Sequence, residues 1–318
     1  MKWIFRASVL LLLVLSGCGN HNSGDEIIIF HAGSLSVPLR QLKEAYEKKN
    51  PDVSILLEPS GSLVCARKVT ELKKPCDIVA SADYTVIDKM LIPAYASWNI
   101  RFATNELVIA FNDKAKYSSE INAGNWIEIL SRNDVIYGRS DPNTDPCGYR
   151  TVLMFKLAEK YYNMPGLTHR FIAKNSDYVR PKSVDLIALV EAHSIDYMFE
   201  YKSVAVQHGM RYIELPDDIN LSDPSKESVY KTVSVEVTGS KPGSTIRMTG
   251  DYINYSITVL DNAPHRDRAI DFLRYMLSEE GMDVFRKDGQ KPIVPAYSEQ
   301  ADRIPVSLSG FIGNKSLN

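Results

Sequence analysis

Val135-Ile136-Tyr137-Gly138-Arg139-Ser140-Asp141-Pro142-Asn143-Thr144-Asp145-Pro146-Cys147-Gly148-Tyr149-Arg150 is the stretch on which the fold turns. Val135 to Gly138 is an apolar run of strand type. Thr151 to Tyr161, just beyond, is an amphipathic run of helix type. Between them lies a turn-rich loop, Ser140 to Tyr149. Asp145 stands where a helix N-cap belongs, with Pro146 at the first helical position. A strand that ends in such a loop and feeds a helix turns backbone N–H groups toward a crevice. The dipole at the helix N-terminus then favours negative charge there. Two roles for Asp145 stay open on spacing alone: capping its own helix, the commoner one, or facing a ligand.

Upstream, the same unit repeats. Glu26 to His31 reads as a strand ending in Ala32-Gly33-Ser34-Leu35-Ser36, and a helix runs from about Val37 to Lys49. Val53 to Leu57 is the next strand, ending in Glu58-Pro59-Ser60-Gly61-Ser62, with a second helix stopped at Pro75. Asp77 to Ala80 is a third strand, leading into Ser81-Ala82-Asp83-Tyr84. Strand, loop and helix in repetition predict an α/β fold with a mostly parallel sheet. In open α/β sheets the ligand crevice lies at the carboxyl ends of the strands. Two Gly-Ser turns reach that edge. Gly33 and Gly61 let backbone approach a ligand, and Ser34 and Ser62 each offer a hydroxyl and an N–H.

Downstream, Glu106 to Phe111 reads as a strand and Trp126 to Leu130 as a short helix. Val179 to Ser183 enters a helix with Val184, Ile187, Ala188 and Val190 on one face. In the strand Asp196 to Tyr201, Tyr197, Phe199 and Tyr201 alternate with Asp196 and Glu200, which predicts a solvated Glu200. Ser228 to Val237 reads as a strand, Gly239 to Gly250 as a loop and Tyr252 to Leu260 as a long strand. Arg268 to Met276 and Gly281 to Arg286 read as closing helices, followed by a polar, loosely packed tail. Crossovers near residues 105 and 252 give a discontinuous lobe I (26–104 and 252–318) and a continuous lobe II (105–251). Two α/β lobes joined by two crossover strands form a hinge around a cleft. Ser34 and Ser62 fall in the first lobe, and Asp145, Ser183 and Tyr201 in the second.

The chain has 318 residues and a formal net charge of -2. No basic stripe appears, which argues against nucleic acid. An anion must then be held by local geometry. Lys2 and Arg6 precede a short apolar core, Val9 to Leu15, and Leu15-Ser16-Gly17-Cys18 resembles a bacterial lipoprotein cleavage box. Residues 1–17 are therefore expected to be a signal peptide, too short to span a bilayer comfortably. Cys18 is the expected acylation site and residues 18–25 the tether. That puts the protein in the periplasm or on the outer face of the cell membrane, touching the membrane only through its lipid. Cys65 and Cys76 flank one helix and are candidates for a disulfide in an oxidising compartment. No C-x-x-C, H-E-x-x-H or P-loop pattern supports zinc or catalytic chemistry. Cys147 is expected to pack as a small residue and His31 as a core histidine, so no enzyme is predicted.

Six stretches together carry a family resemblance: Phe30-His31-Ala32-Gly33-Ser34-Leu35, Ser60-Gly61-Ser62, Ala80-Ser81-Ala82-Asp83-Tyr84, Asp145-Pro146-Cys147-Gly148-Tyr149-Arg150, Arg180-Pro181-Lys182 and Tyr201-Lys202-Ser203-Val204-Ala205. The chain resembles the periplasmic molybdate- and tungstate-binding proteins of ABC transporters, in the branch first recognised in archaea. The resemblance implies a type II periplasmic-binding-protein fold, no cofactor, a monomer, and a permease as partner. It implies oxyanion contacts at Ser34, Ser62, Asp145, Ser183 and Tyr201, with backbone donors from Gly33, Asn143 and Thr144. A carboxylate about 4 Å from an anion costs on the order of several kcal/mol in a partly desolvated cleft. In that branch, hexavalent tungsten or molybdenum accepts carboxylate oxygens as ligands and sulfur does not, so Asp145 as a metal ligand would reward the metal oxyanion and repel sulfate. The branch supplies a second carboxylate, expected as a glutamate where Ser183 stands. Three outcomes stay open: Glu200 substitutes, Asp145 acts alone, or the anion remains four-coordinate. The predicted strand alternation ranks Glu200 last. The competing functions are a receptor for sulfate or another tetrahedral oxyanion, and a dehydratase-like enzyme on the same scaffold.

Overall fold

The computed structural model describes residues 26–239, 241 and 243–313. The expected signal peptide, the tether and the Cys18 lipid site lie outside the described residues. Two sheets organise the chain. The first has six strands in the order β13-β4-β12-β3-β1-β2, where β1 is Glu26–Ala32, β2 Ser54–Ser60, β3 Ile78–Ser81, β4 Ile100–Thr104, β12 Asn254–Val259 and β13 Lys291–Tyr297. The second has five in the order β7-β6-β8-β5-β9, where β5 is Leu107–Phe111, β6 Tyr137–Ser140, β7 Val179–Arg180, β8 Tyr197–Tyr201 and β9 Arg211–Glu214. Strands β1, β2 and β3 pair in parallel, as do β6, β7 and β8, whereas β12 and β5 run antiparallel to their neighbours. This mixed α/β architecture is that of type II periplasmic-binding proteins. The chain leaves the first sheet after Thr104, enters the second at Leu107, and returns at Asn254.

Helices follow the strand ends as their patterns require. In α1 (Ser36–Lys49), Leu39, Leu42 and Tyr46 lie at helical spacing and are buried, and Lys48 and Lys49 complement the dipole at its end. The two Gly-Ser turns lead into α1 and α2 (Ser62–Thr70), and α3 (Tyr84–Met90) follows β3. After α4 (Trp126–Ser131), α5 (Pro146–Tyr161) buries twelve of its residues, so it is a core helix and not a surface one. Phe155 of α5 meets Phe199 of β8 edge-on at 4.9 Å, and Phe171 packs at 5.2 Å from the other side.

Several expectations are corrected. Ser228 to Val237 is not one strand: Glu227–Tyr230 is a helical turn, and β10 is Ser234–Thr238. The expected loop 239–250 contains β11, Thr245–Thr249, which closes an antiparallel hairpin with β10 by turning Ile246 and Met248 inward. The tail is packed: Ile304 and Leu308 are buried, and Ala296 N donates to Phe311 O at 2.8 Å. Cys65 and Cys76 are free thiols, each directed at a backbone carbonyl, His31 O for Cys65 and Ile78 O for Cys76. Burial pushes the Cys65 thiol up to about 12, which suits a packed, unreactive group. No helix of the described residues is long and apolar enough to cross a membrane.

Phe155→Ala empties the middle of the aromatic cluster under β8. It is expected to cost about 3–5 kcal/mol of unfolding free energy in urea titrations. A loss below about 1 kcal/mol would mean that α5 is not anchored through this ring.

Candidate functional site

The site is assembled from loops at the strand ends of both sheets. After β1, Gly33–Leu35 forms a single 3-10 turn that buries Ser34. The Ser34 hydroxyl accepts from the Tyr255 hydroxyl of β12 at 2.9 Å. Gly61 caps α2 in an extended conformation, and the buried Ser62 hydroxyl accepts from Ala82 N at 3.0 Å. On the second sheet, Asp145 caps α5 as its spacing predicts: Oδ1 accepts from Cys147 N at 3.3 Å. Its other oxygen accepts from Ser183 N at 2.7 Å, so one carboxyl joins the loop after β6 to the turn after β7. Burial pushes the Asp145 carboxyl above its ordinary value, and the two N–H donors oppose that. Tyr201 ends β8 with its ring fully buried and edge-on to Tyr255 at 5.9 Å.

The two sets of loops touch. A Cβ on Gly33 would meet Val184 Cγ2 at 2.9 Å, and one on Gly61 would lie 2.1 Å from Thr144 O. Gly33, Ser34, Ser62, Asp145, Ser183 and Tyr201 are thereby gathered. Asn143 and Thr144 reach the same junction, but their N–H groups are engaged by Asp141, through its side chain at 2.8 Å and its carbonyl at 3.1 Å. Arg67 of α2 closes over this loop, donating to Asn143 O at 2.9 Å.

Three residues at the site were not legible from motif spacing. Arg150, one turn into α5, is buried; Nη1 donates to Tyr201 Oη at 2.9 Å, and Nη2 lies 3.1 Å from Asp83 Oδ2. The signal available was a cation among the mostly apolar residues that open the helix. Tyr255 links Ser34 to Asn105, whose Nδ2 donates to it at 3.1 Å. Glu200 corrects an expectation outright: it is fully buried, not solvated. Strand β8 lies between β6 and β5 with segment 183–186 packed near it, and all five of its residues are buried. Glu200 Oε1 accepts from Tyr201 N at 2.7 Å and lies 3.7 Å from Cys147 Sγ, whereas Oε2 is buried with no hydrogen-bond partner. Burial pushes this carboxyl up to about 8; donation from Tyr201 N–H opposes the shift and the Asp145 charge adds to it.

The chemistry of this arrangement is binding. Hydroxyls and a phenol meet two carboxyls in a buried spot where the guanidinium of Arg150 is held by Asp83. The Cys147 thiol is pushed well above its ordinary value by burial, the opposite of an activated nucleophile. His31 is a core histidine: its Nδ1 lies 2.8 Å from Ala32 O, and burial lowers its pKa to about 4. The Gly61 backbone is ordinary for any residue, so Gly61→Ala strains only the contact with Thr144 O. That variant is expected to fold but to hold the loops apart. The check is a larger radius of gyration by small-angle scattering and an affinity lower by about tenfold or more, roughly 1.4 kcal/mol.

Residues 27–291 match the family model described as "Bacterial extracellular solute-binding protein". An uncharacterized solute-binding protein of Petrotoga mobilis is 43% identical, over 98% of this chain and 98% of the relative. A molybdate/tungstate-binding protein WtpA of Pyrococcus abyssi is 42% identical, over 96% of this chain and 97% of the relative. Another WtpA, of Thermococcus kodakarensis, is 43% identical over 98% and 96%. The periplasmic molybdate-binding protein of Azotobacter vinelandii shares the fold, with a TM-score of 0.62 at 13% identity over 83% of this chain and 98% of that one. These proteins bind solutes and are not enzymes. On its match along nearly the whole described length, this chain belongs to the bacterial extracellular solute-binding protein family.

Proposed function

We propose that the protein captures molybdate or tungstate between lobe I (26–104 and 252–318) and lobe II (105–251) and delivers it to an ABC transporter permease. The observation that carries this reading is the burial, at one junction, of Ser34, Ser62, Asp145, Ser183 and Tyr201, polar side chains from separate loops of the two sheets. The names of the two archaeal relatives supply the anion. Closure buries the anion among neutral donors, and the closed form is what the permease meets. Because Tyr201 Oη accepts from Arg150, its own proton is left to donate toward the anion. The protein acts as a monomer, anchored by a lipid at Cys18 on the outer face of the membrane or in the periplasm.

Asp145 supplies selectivity. It repels a dianion whose central atom takes no further ligand, and it bonds one whose centre does. Calorimetric titration of the full-length chain with tungstate, molybdate and sulfate tests this. Heat from the two metal oxyanions alone is expected, and silence from both sinks the proposal. Asp145→Asn is expected to tighten sulfate by about tenfold or more, since removing one charge at about 4 Å is worth more than 1.4 kcal/mol. An unchanged ranking of the three anions would mean that Asp145 only caps α5.

A further inference from the structure

Asn105 fills all four hydrogen-bonding positions of its amide, and the pattern has a direction. It lies between β4 and β5, where the chain first crosses from one sheet to the other, and it is buried. Oδ1 accepts from Glu106 N at 2.9 Å and from Ser203 N at 3.3 Å. Backbone N–H groups only donate, so these two bonds identify the amide oxygen and leave Nδ2 as a pure donor. Nδ2 donates to Ser203 Oγ at 2.7 Å and to Tyr255 Oη at 3.1 Å. Tyr255 stands on β12, where the chain has crossed back, and is itself buried. Its hydroxyl accepts from Asn105, so its own proton goes on to Ser34 Oγ at 2.9 Å. Ser34 accepts there, and its proton is left to donate elsewhere. The bonds therefore run one way, from the amide at the crossover, through the phenol, to the serine at the junction of the loops. Tyr201 is set in the same sense by Arg150, another group that can only donate.

We propose that Asn105 is a positioning residue for anion capture: through Tyr255 it holds the Ser34 hydroxyl as a donor toward the bound oxyanion. The inference rests on the molybdate/tungstate reading above. A free serine hydroxyl can donate or accept, and its proton has three staggered positions. An oxyanion rewards a donor and is repelled by an oxygen lone pair. A serine whose accepting side is already filled by Tyr255 meets the anion proton first, and the ligand is spared the cost of turning it. Asn105 touches neither the anion nor Ser34. It acts by closing to Tyr255 the choice of donating back toward the crossover.

The test is calorimetric titration of the full-length chain with sodium tungstate and sodium molybdate, each variant read against wild type at the same pH. Asn105→Asp keeps the size and the acceptor for Glu106 N and Ser203 N, and exchanges only the donor. Ionised, it takes the Tyr255 proton; Tyr255 then accepts from Ser34, and the Ser34 proton is drawn off the anion. Protonated, it donates again. The titratable groups that face position 105 are Tyr255, whose phenol is held well above its ordinary value by burial, and Glu106, which lies 2.9 Å from Lys202 Nζ and 3.8 Å from Lys291 Nζ. Glu200 and Arg150 act on that phenol from β8 and α5. Asn105→Asp is expected to weaken both anions by about tenfold or more at about pH 9, and to return toward wild type at about pH 5. Tyr255→Phe removes the hydroxyl alone. It is expected to weaken both by about threefold or more, the weight of one proton position among three. With the chain of bonds cut in this way, adding Asn105→Asp is expected to change affinity by less than about twofold. Wild-type affinity in Tyr255→Phe, or in Asn105→Asp throughout that pH range, overturns the inference while leaving the binding function standing. A loss in Asn105→Asp that is equal at both pH values and equal on Tyr255→Phe also overturns it, and makes Asn105 a brace of the crossover alone. Wild-type protein silent to tungstate and molybdate overturns the functional reading itself.

Discussion

The Arg150 guanidinium, held 3.1 Å from Asp83 across the junction of the two sheets, is the interaction on which the rest of the site depends. Arg150 belongs to α5, which packs on the second sheet. Asp83 follows β3 of the first and caps α3 through Thr85 N. The ion pair is buried, so its Coulombic gain is set against a desolvation cost. Its strength as a constraint lies in the alternative: a buried charge stripped of its partner costs about 3–5 kcal/mol. Tyr149 donates to the same carboxylate at 2.6 Å and Ala82 O accepts from the same guanidinium, so the pair is satisfied within a small network. That network sets where the first turn of α5 lies relative to the Ser62 loop. It also orients the Tyr201 phenol.

The Asp145 carboxyl carries two kinds of role. As a cap it completes the hydrogen bonding of α5, and through Ser183 N it ties in the turn after β7. Each oxygen accepts a backbone N–H, and a carboxylate oxygen has further lone pairs to offer. Capping and ligand contact, which spacing presents as rivals, are compatible at one residue. The oxygen that caps fixes the rotamer, and a fixed rotamer spares a ligand the cost of ordering it.

Much of the fold was legible from the chain alone. The repeated strand–loop–helix unit announced the parallel strands, and the Gly-Ser turns marked their carboxyl ends. The hairpin β10–β11 was missed because a glycine- and serine-rich turn masks the alternation of Ile246 and Met248. The packed tail was missed because Ile304 and Leu308 are single apolar residues in polar company. Cys65 and Cys76 show the same limit: proximity along the chain does not say where two thiols point.

What the sequence by itself determined is therefore local. The cap at Asp145, the strand ends at Gly33 and Gly61, and the polar groups Ser34 and Ser62 follow from turn chemistry and hydrophobic period, which act over a few residues, whereas Ser183 and Tyr201 were named by the family resemblance. Only the tertiary structure decided what covers each face. Alternation places Glu200 opposite Tyr201, and for an edge or one-sided sheet that means water. In the middle of a sheet covered on both sides it means burial, and burial pushes this carboxyl up to about 8. Pairing Arg150 with Asp83 likewise required two segments, 67 residues apart, to be brought together by sheet order that no local pattern encodes.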